Sequence, residues 1–446
     1  MTISPHETRE FRRDSRRLLI VVCISTWLLI FVTFTQPGRH GVHTAQDVDW
    51  LGMLKMGSRG LVCAMLLLVA PLALRHPQRR AAVQSLLPWI LLAGFGMLSS
   101  GWSALPALSM AQAGCLGLLV AMAIAAALAL DSPQGVSRLL CHTACSLTAV
   151  STVLLLARFA LPHLGELARN AAGRGAEGLL HPTTAASTAS LGILIFVAGR
   201  LGWPWRWARM AFWPGMAVNS FVLALSAARL ALALTAALCL LLALVMPPRT
   251  RFWTMALAVC TAACTFLAVD PSWISLESPT RALAKYARRG QSSRQVTGLS
   301  GRDEIWPLMW ESFLESPWIG HGYYVTSAQG KVRVWNDRGN FTAHNLFLQS
   351  LTTTGLIGFG LLLWGWSQAA VALRRSRTTG RSRQHLKWLL VVLWLWFLGW
   401  GMLNASFLAP FQPEAVVFFL SMGLAARLAI ACPLERTVGQ TVEAPG

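Results

Sequence analysis

Apolar residues along this chain occur in long stretches that are separated by short polar breaks. Each stretch has close to the ~20 residues that an α-helix needs to cross the hydrocarbon core of a bilayer. The pattern therefore predicts an all-α polytopic membrane protein with about 12 transmembrane helices. The predicted helices lie near 18–35, 52–74, 82–99, 106–130, 139–161, 183–199, 211–227, 230–246, 253–269, 344–373, 388–408 and 414–432.

Composition agrees with a membrane protein and excludes other classes. Hydrophobic residues make up 54% of the chain and charged residues only 13%, whereas a soluble domain carries roughly a quarter charged residues. The abundance of apolar residues also excludes a disordered chain. A formal net charge of +20 would suggest nucleic acid as a partner of a soluble protein, but Lys and Arg accumulate in the cytoplasmic loops of membrane proteins. We therefore expect membrane lipids, and no nucleic acid, as partners.

Basic residues predict the orientation of the chain in the membrane. If the N-terminus lies inside, every second break falls on the cytoplasmic side, and these breaks hold the basic clusters. The same alternation places both termini in the cytoplasm. The clusters are Arg75/Arg79/Arg80, Arg200/Arg206/Arg209, Arg249/Arg251 and Arg374/Arg375/Arg377/Arg381/Arg383/Lys387.

The break over 270–343 is far longer than an ordinary connection between helices. It falls on the non-cytoplasmic side and divides the chain into four parts. These are 1–269 with the first nine helices, 270–343 as a long outer loop, 344–432 with the last three helices, and 433–446 as a cytoplasmic tail. The aromatic content of the loop indicates a folded segment on the membrane surface.

Two short helices are predicted in this loop. The first covers 280–290, and its basic residues share one face by their i,i+3 and i,i+4 spacing. They are Arg281, Lys285, Arg288 and Arg289. The second covers 302–314 and ends before Ser316-Pro317, because the residue before a proline is disfavoured in a helix.

Arg229 is the first candidate functional residue. It lies at the joint of two predicted spans, in an apolar stretch from Phe212 to Met246. An Arg at the bilayer centre costs ~2.5–3.5 kcal/mol on insertion scales, so a lone intramembrane charge usually marks a site. The alternative is an interfacial Arg that extends to the lipid headgroups. The tight turn after Ser226 favours the interpretation that Arg229 binds an anion.

Arg302 opens the second short helix of the loop. A guanidinium beside the backbone N–H groups of a helix N-terminus attracts phosphate oxygens. The alternative is an ion pair with Asp303, Glu304 or Glu311 at the surface of the loop. Both interpretations of Arg302 stay open at this point.

His344 stands where the long loop returns to an apolar helix. A neutral imidazole there can take a proton from a sugar hydroxyl. The alternative is a helix cap or an interfacial His with ordinary hydrogen bonds. His321 and His181 are rival candidates for the same role.

Motifs for nucleotide, zinc or serine and cysteine nucleophile chemistry are missing from the sequence. The nine cysteines lie within or beside apolar stretches and are interpreted as small buried side chains. In the long loop only Asp303 and Glu304 are close together, whereas a Mg²⁺ site needs converging carboxylates. The sequence therefore predicts no metal and no cofactor, so Arg side chains have to bind any phosphate.

The chain resembles the O-antigen ligase family of membrane glycosyltransferases, and more broadly the superfamily with O-antigen polymerases and protein O-oligosaccharyltransferases. The resemblance covers the number of spans, the inner termini and the position of the long loop. The family's Pro-x-x-Gly-x-Gly pattern is present as Pro317, Gly320 and Gly322, which leaves His321 at a variable position. The other matches are Ser226…Arg229, Gly301-Arg302…Trp306, Ala343-His344-Asn345 and Gly355-Leu356-Ile357-Gly358.

The resemblance implies a GT-C-like fold in the inner membrane of a Gram-negative bacterium, with a periplasmic active site. The donor would be a glycan on undecaprenyl diphosphate, and the acceptor a sugar hydroxyl of lipid A–core. Transfer would invert the anomeric carbon without a metal. The roles of the family's functional residues carry over to Arg229 and Arg302 on the diphosphate and to His344 as the base. The basic face of the 280–290 helix would hold the phosphorylated acceptor or adhere to anionic lipids.

Three other functions are alternatives to a ligase. An O-antigen polymerase would join the glycan to a second lipid-linked glycan, and a protein O-oligosaccharyltransferase would join it to a protein. A lipid-linked glycan flippase or transporter belongs to another class, and paired acids at mid-membrane would favour it. The predicted spans hold almost no acids, which disfavours ion-coupled transport. The oligomeric state is not predicted.

Overall fold

A computed structural model describes residues 5–34, 50–161, 179–199, 206–226, 228–245, 302–326, 342–375, 381–408 and 412–430. These residues form α-helices and two short 3₁₀ turns, with no strand among them, so the predicted all-α class is confirmed. The helices are α1 (Pro5–Phe31), α2 (Trp50–Arg75), α3 (Arg79–Leu98), α4 (Pro106–Ala129), α5 (Pro133–Ala160), α6 (Pro182–Gly199), α7 (Arg206–Leu225), α8 (Arg229–Val245), α9 (Arg302–Glu315), α10 (Leu346–Arg375), α11 (Arg381–Gly401) and α12 (Pro413–Ala429).

Eleven of the predicted transmembrane segments overlap with a described helix. The predicted helix at 253–269 lies outside the described residues, and the short helix predicted at 302–314 is present as α9. Among the described residues, α2, α3, α4, α5 and α10 are long and apolar enough to cross a membrane, and α6, α7 and α8 contain shorter apolar helices. The chain is therefore a multi-pass membrane protein, while the full number of spans stays a prediction.

Helix α6 lies at the centre of the helix bundle. It packs against α5, α7, α8, α11 and α12, and nearly its whole surface is buried. Its first half consists of small residues, among them Ala185, Ala186 and Ser187, which are fully buried. Small residues let helix backbones approach closely, which is the usual basis of helix packing within a membrane.

The two ends of the bundle can be distinguished by contacts between distant parts of the chain. At one end, which we name the loop end, the Tyr323 hydroxyl donates to Leu408 O (3.0 Å) and Thr184 Oγ1 donates to Gln412 Oε1 (3.0 Å). The segment after α9 and the start of α6 therefore both meet the connection between α11 and α12. At the opposite end, Arg427 near the end of α12 donates to Gln78 at the start of α3.

Candidate functional site

Helix α10 is interrupted at Gly355 near the loop end. Gly355 has φ 62° and ψ −165°, so the helix leaves its regular path there. The segment 317–322, which we name the glycine segment, lies against the interruption and supplies the missing hydrogen bonds. These bonds are His321 N to Thr352 O (3.2 Å), Gly322 N to Thr353 O (3.1 Å), Leu356 N to Pro317 O (2.8 Å) and Ile357 N to Trp318 O (3.1 Å). Buried backbone groups need such partners, and irregular backbone within a membrane protein is tolerated where other protein segments cover it.

The contact between the two segments explains two glycines of the motif. A Cβ at Gly320 would lie 2.4 Å from the backbone carbon of Thr353, and a Cβ at Gly355 would lie 2.4 Å from that of Trp318. Both glycines have positive φ angles of 65° and 62°, a region that other residues adopt at a cost. Gly320 and Gly355 therefore allow the backbones of the glycine segment and α10 to meet.

Two tyrosines at the end of this segment anchor it to the bundle. Tyr323 N donates to Ser99 Oγ (2.8 Å), and its hydroxyl binds the connection between α11 and α12. Burial raises the pKa of Tyr323, and it raises the pKa of Tyr324 to about 12. Both phenols therefore stay neutral at physiological pH, and the Tyr323 hydroxyl acts as a hydrogen-bond donor.

Arg302 is the first residue of α9, and its guanidinium reaches the connection after α11. Arg302 Nη2 donates to Leu403 O at 3.1 Å. The next turn of α9 is fixed against the start of α10, because Trp306 Nε1 donates to Ala343 O (3.0 Å) and Ile305 packs on Ala343. The side chain of Arg302 is thereby held close to the residues that precede α10.

His344 lies in the turn between Ala343 and α10. Its φ angle of 48° is unusual for a residue other than glycine, and such strained residues concentrate at functional sites. The neighbouring Asn345 caps the helix, since its Oδ1 accepts from Phe347 N (3.0 Å) and Leu348 N (3.1 Å). The interpretation of His344 as the helix cap is therefore wrong, and His344 is partly exposed in a turn that Asn345 holds.

Arg302 and the turn that holds His344 bind two adjacent residues. Asn345 Nδ2 donates to Met402 O at 3.2 Å, and Arg302 Nη2 donates to the adjacent Leu403 O at 3.1 Å. Consecutive Cα atoms are about 3.8 Å apart, so both contacts fall on one short turn, which we name the 402–403 turn. The structure thus brings Arg302 and the residue next to His344 to a common support.

Arg229 lies at the same end of the bundle. It is the first residue of α8 and is partly exposed, and Ser226 Oγ accepts from Ala228 N (3.4 Å) in the turn before it. Helix α8 packs on α11 so closely that a Cβ at Gly399 would lie 2.7 Å from Leu234 Cδ2. At about 1.5 Å of rise per residue, Arg229 and the 402–403 turn are each within two turns of this contact. The turn after α7 brings Arg229 to the loop end, because α7 runs antiparallel to α6, with Gly192 packed on Asn219 and Gly215 packed on Phe196.

The rival histidines have structural roles. His321 is buried, and its Nε2 donates to Ser312 O at 2.6 Å, with the Glu315 carboxylate at 3.7 Å. His181 caps the start of α6, where its Nδ1 accepts from Thr183 N (3.3 Å). Their positions leave His344 as the candidate base among the three histidines.

Several predicted features lie outside the described residues. They are the basic face of Arg281, Lys285, Arg288 and Arg289, and the side chains of Asp303 and Glu304. Within the described part of the chain, no group of three or more His, Cys, Asp and Glu side chains could hold a metal ion.

Sequence reasoning missed two parts of this site, Asn345 and the 402–403 turn. Asn345 has a local signal, because Asn is a preferred N-cap residue and stands directly before an apolar stretch. The 402–403 turn has no signal in the sequence, because it acts through two backbone carbonyls that accept hydrogen bonds from distant side chains.

A comparison with protein families adds independent information on this part of the chain. Residues 214–363 match the family model described as O-antigen ligase. The matched range contains Arg229, Arg302 and His344, together with the glycine segment and the interruption of α10. No match was found among curated proteins.

Proposed function

We propose that the protein is an O-antigen ligase, and the match of residues 214–363 to the O-antigen ligase family model supports this proposal. In this proposal it moves O-antigen polysaccharide from undecaprenyl diphosphate to a sugar hydroxyl of lipid A–core in lipopolysaccharide biosynthesis. The observation that carries the proposal is the 402–403 turn, where Arg302 and the cap next to His344 donate to adjacent carbonyls.

Arg302 and Arg229 bind the diphosphate of the donor. A charge-assisted hydrogen bond of this kind contributes on the order of 1.5–3 kcal/mol. During transfer the bond between the anomeric carbon and the diphosphate oxygen breaks, and the bonding electrons leave with the diphosphate. The contacts strengthen as this charge develops, and such a difference between ground state and transition state accelerates the reaction. A diphosphate held in this way leaves without a metal ion.

His344 acts as the general base on the acceptor. Its neutral imidazole takes the proton of the attacking sugar hydroxyl while the hydroxyl oxygen forms the new bond to the anomeric carbon. Attack from the face opposite the departing diphosphate inverts the configuration of that carbon. The strained turn and the Asn345 cap hold the imidazole in place before the substrates arrive.

The membrane setting follows from the same proposal. The loop end faces the periplasm of a Gram-negative cell, both termini lie in the cytoplasm, and the polyprenyl tail of the donor lies between helices. The basic residues Arg281, Lys285, Arg288 and Arg289, which lie outside the described residues, are proposed to bind the phosphates of lipid A–core or of anionic lipids.

The test is transfer by the purified protein. Lipid-linked O-antigen and lipid A–core are incubated with the protein in excess EDTA, and joined product is measured. We expect transfer to proceed, Arg302→Ala to slow it by about 10²–10³-fold, and His344→Ala by about 10²–10⁴-fold. Arg17→Ala is the control, because Arg17 is half-exposed near Asp14 in α1. Full activity of His344→Ala, or no transfer in EDTA, would overturn the mechanism.

The products separate the ligase from its alternatives. Lengthened lipid-linked glycan without modified lipid A–core would indicate a polymerase. Movement of lipid-linked glycan across liposome membranes without a covalent product would indicate a flippase.

A further inference from the structure

Glu414 is a buried acid at the loop end that the proposed chemistry does not use. It is the second residue of α12 and only 1% exposed. Charged groups buried within a membrane protein are costly and usually functional. Their burial also requires hydrogen-bonding partners, so the partners of Glu414 indicate what it holds.

The carboxylate of Glu414 connects α12 with two other helices. Ser187 Oγ in α6 donates to Oε2, and Trp400 Nε1 in the last turn of α11 donates to Oε1 at 3.3 Å. Trp400 is buried and stacks on Trp396, with ring centroids 5.3 Å apart. Glu414 therefore fixes the end of α11 from one side while the central helix α6 holds Glu414 from the other.

The end of α11 leads directly to the candidate site. Leu403 N donates to Trp400 O at 3.1 Å, and Leu403 O accepts from Arg302 Nη2 at 3.1 Å. A continuous path of hydrogen bonds thus runs from Glu414 through Trp400 and Leu403 to the guanidinium of Arg302.

We propose that Glu414 is a positioning residue for Arg302 in glycan transfer. By holding Trp400, it fixes the direction of the Leu403 carbonyl, and that carbonyl fixes the guanidinium against the donor diphosphate. The inference rests on the proposed function of Arg302. Its rival is a purely structural role, in which Glu414 stabilises the packing of α12 and nothing more.

The contact between α11 and α12 also provides a matched control that tests the purely structural role. Trp394 Nε1 donates to Ser421 Oγ at 3.1 Å, so it makes a second tryptophan bond between α11 and α12, about two turns farther from the 402–403 turn. Trp400→Phe and Trp394→Phe each remove one indole N–H from the same helix pair. Only the first change touches the path to Arg302.

The experiment measures donor KM, kcat/KM and thermal unfolding of the purified variants. We expect Trp400→Phe and Glu414→Leu to raise the donor KM and lower kcat/KM by about 10- to 100-fold, because small misplacements of a binding group have effects of this size. Glu414→Gln should stay within about threefold of wild type, since its amide oxygen can still accept from Trp400. Trp394→Phe should leave kcat/KM near wild type even where the unfolding temperature falls.

A double-mutant comparison completes the test. In an Arg302→Lys background, which lacks the guanidinium, Glu414→Leu and Trp400→Phe should cause no further loss of kcat/KM, because coupled residues are not additive. A further loss of the same size as in wild type, or an equal loss from Trp394→Phe, would overturn the inference and leave the proposed function intact. Full activity of Arg302→Lys and Arg302→Ala would instead overturn the role proposed for Arg302.

Discussion

At the scale of single residues, Asn345 performs two tasks with one side chain. Its Oδ1 caps α10 and its Nδ2 donates to Met402 O, while the residue before it is the strained His344. A cap stabilises the helix by about 1 kcal/mol, which is too little to explain a strained neighbour. The contact with the 402–403 turn explains it better, because that contact holds the residue next to His344 on the same turn that binds Arg302.

Asn345→Asp separates these two tasks. Asp is as good a helix cap as Asn but has no N–H to donate to Met402 O. We expect transfer to slow by about 10-fold or more with an unfolding temperature close to wild type, whereas Asn345→Ala should lower both. Activity and thermal unfolding in detergent measure the two effects. An active Asn345→Asp would show that the contact with Met402 is dispensable.

At the scale of elements, α10 shows what an apolar pattern can predict and what it cannot. The pattern predicts one continuous helix over 344–373, and a helix is found over Leu346–Arg375. Its interruption at Gly355 depends on hydrogen bonds from the glycine segment, which lies far away in sequence. A pattern of hydrophobic positions holds no information on such a partner, although the glycines themselves are visible in the sequence.

The helix boundaries show the same difference between local and distant causes. Helix α5 begins at Pro133, earlier than predicted, and the cause is local, since Ser132 Oγ accepts from Gly135 N (3.2 Å) and Pro occupies the first position. The apolar pattern predicts that helix α11 reaches 408, but the helix ends at Gly401. There Phe407 leaves the helix and stacks on Phe418 with ring centroids 4.0 Å apart, a contact that only the folded chain provides.

Gly355→Ala should disrupt the interruption of α10. The new Cβ meets the backbone of Trp318 at 2.4 Å, and the φ and ψ of Gly355 fall in a region that is essentially confined to glycine and costs other residues roughly 1–3 kcal/mol in addition. We expect the free energy of unfolding to fall by more than about 2 kcal/mol. Gly360→Ala is the control in the same helix, since a Cβ there meets nothing within 4 Å.

The comparison is made by unfolding both variants in detergent. Gly360→Ala should be as stable as wild type or slightly more stable, because alanine favours a helix over glycine. Equal stability of the two variants would contradict the close contact between α10 and the glycine segment.

At the scale of the whole molecule, the candidate site depends on most of the bundle. The packing of α8 on α11 positions Arg229, α9 positions Arg302, and the turn before α10 positions His344. The charge pattern predicts that these elements share the non-cytoplasmic side, and the structure places them at one end. The shared end agrees with the charge pattern, while the roles of the three residues stay a prediction. The 402–403 turn, which binds Arg302 and Asn345, has no signal in the sequence.

Labelling of cysteines placed at the two ends of helix α4 tests which side of the membrane the loop end faces. The helix is about 36 Å long at 1.5 Å per residue, with the exposed Leu105 before it and the exposed Asp131 after it. Leu105 adjoins Ser103, whose Oγ accepts from Leu105 N (3.1 Å), and a Cβ at Gly322 of the glycine segment would lie 2.5 Å from Ser103 Cβ. Leu105 therefore reports on the loop end, and Asp131 reports on the other end.

In cells with a permeabilised outer membrane, an impermeant thiol reagent should label Leu105→Cys, and it should label Asp131→Cys only after the inner membrane is opened. Wild-type protein with its native cysteines gives the background. The reverse pattern would put Arg302 and His344 in the cytoplasm, where a periplasmic lipid A–core could not reach them.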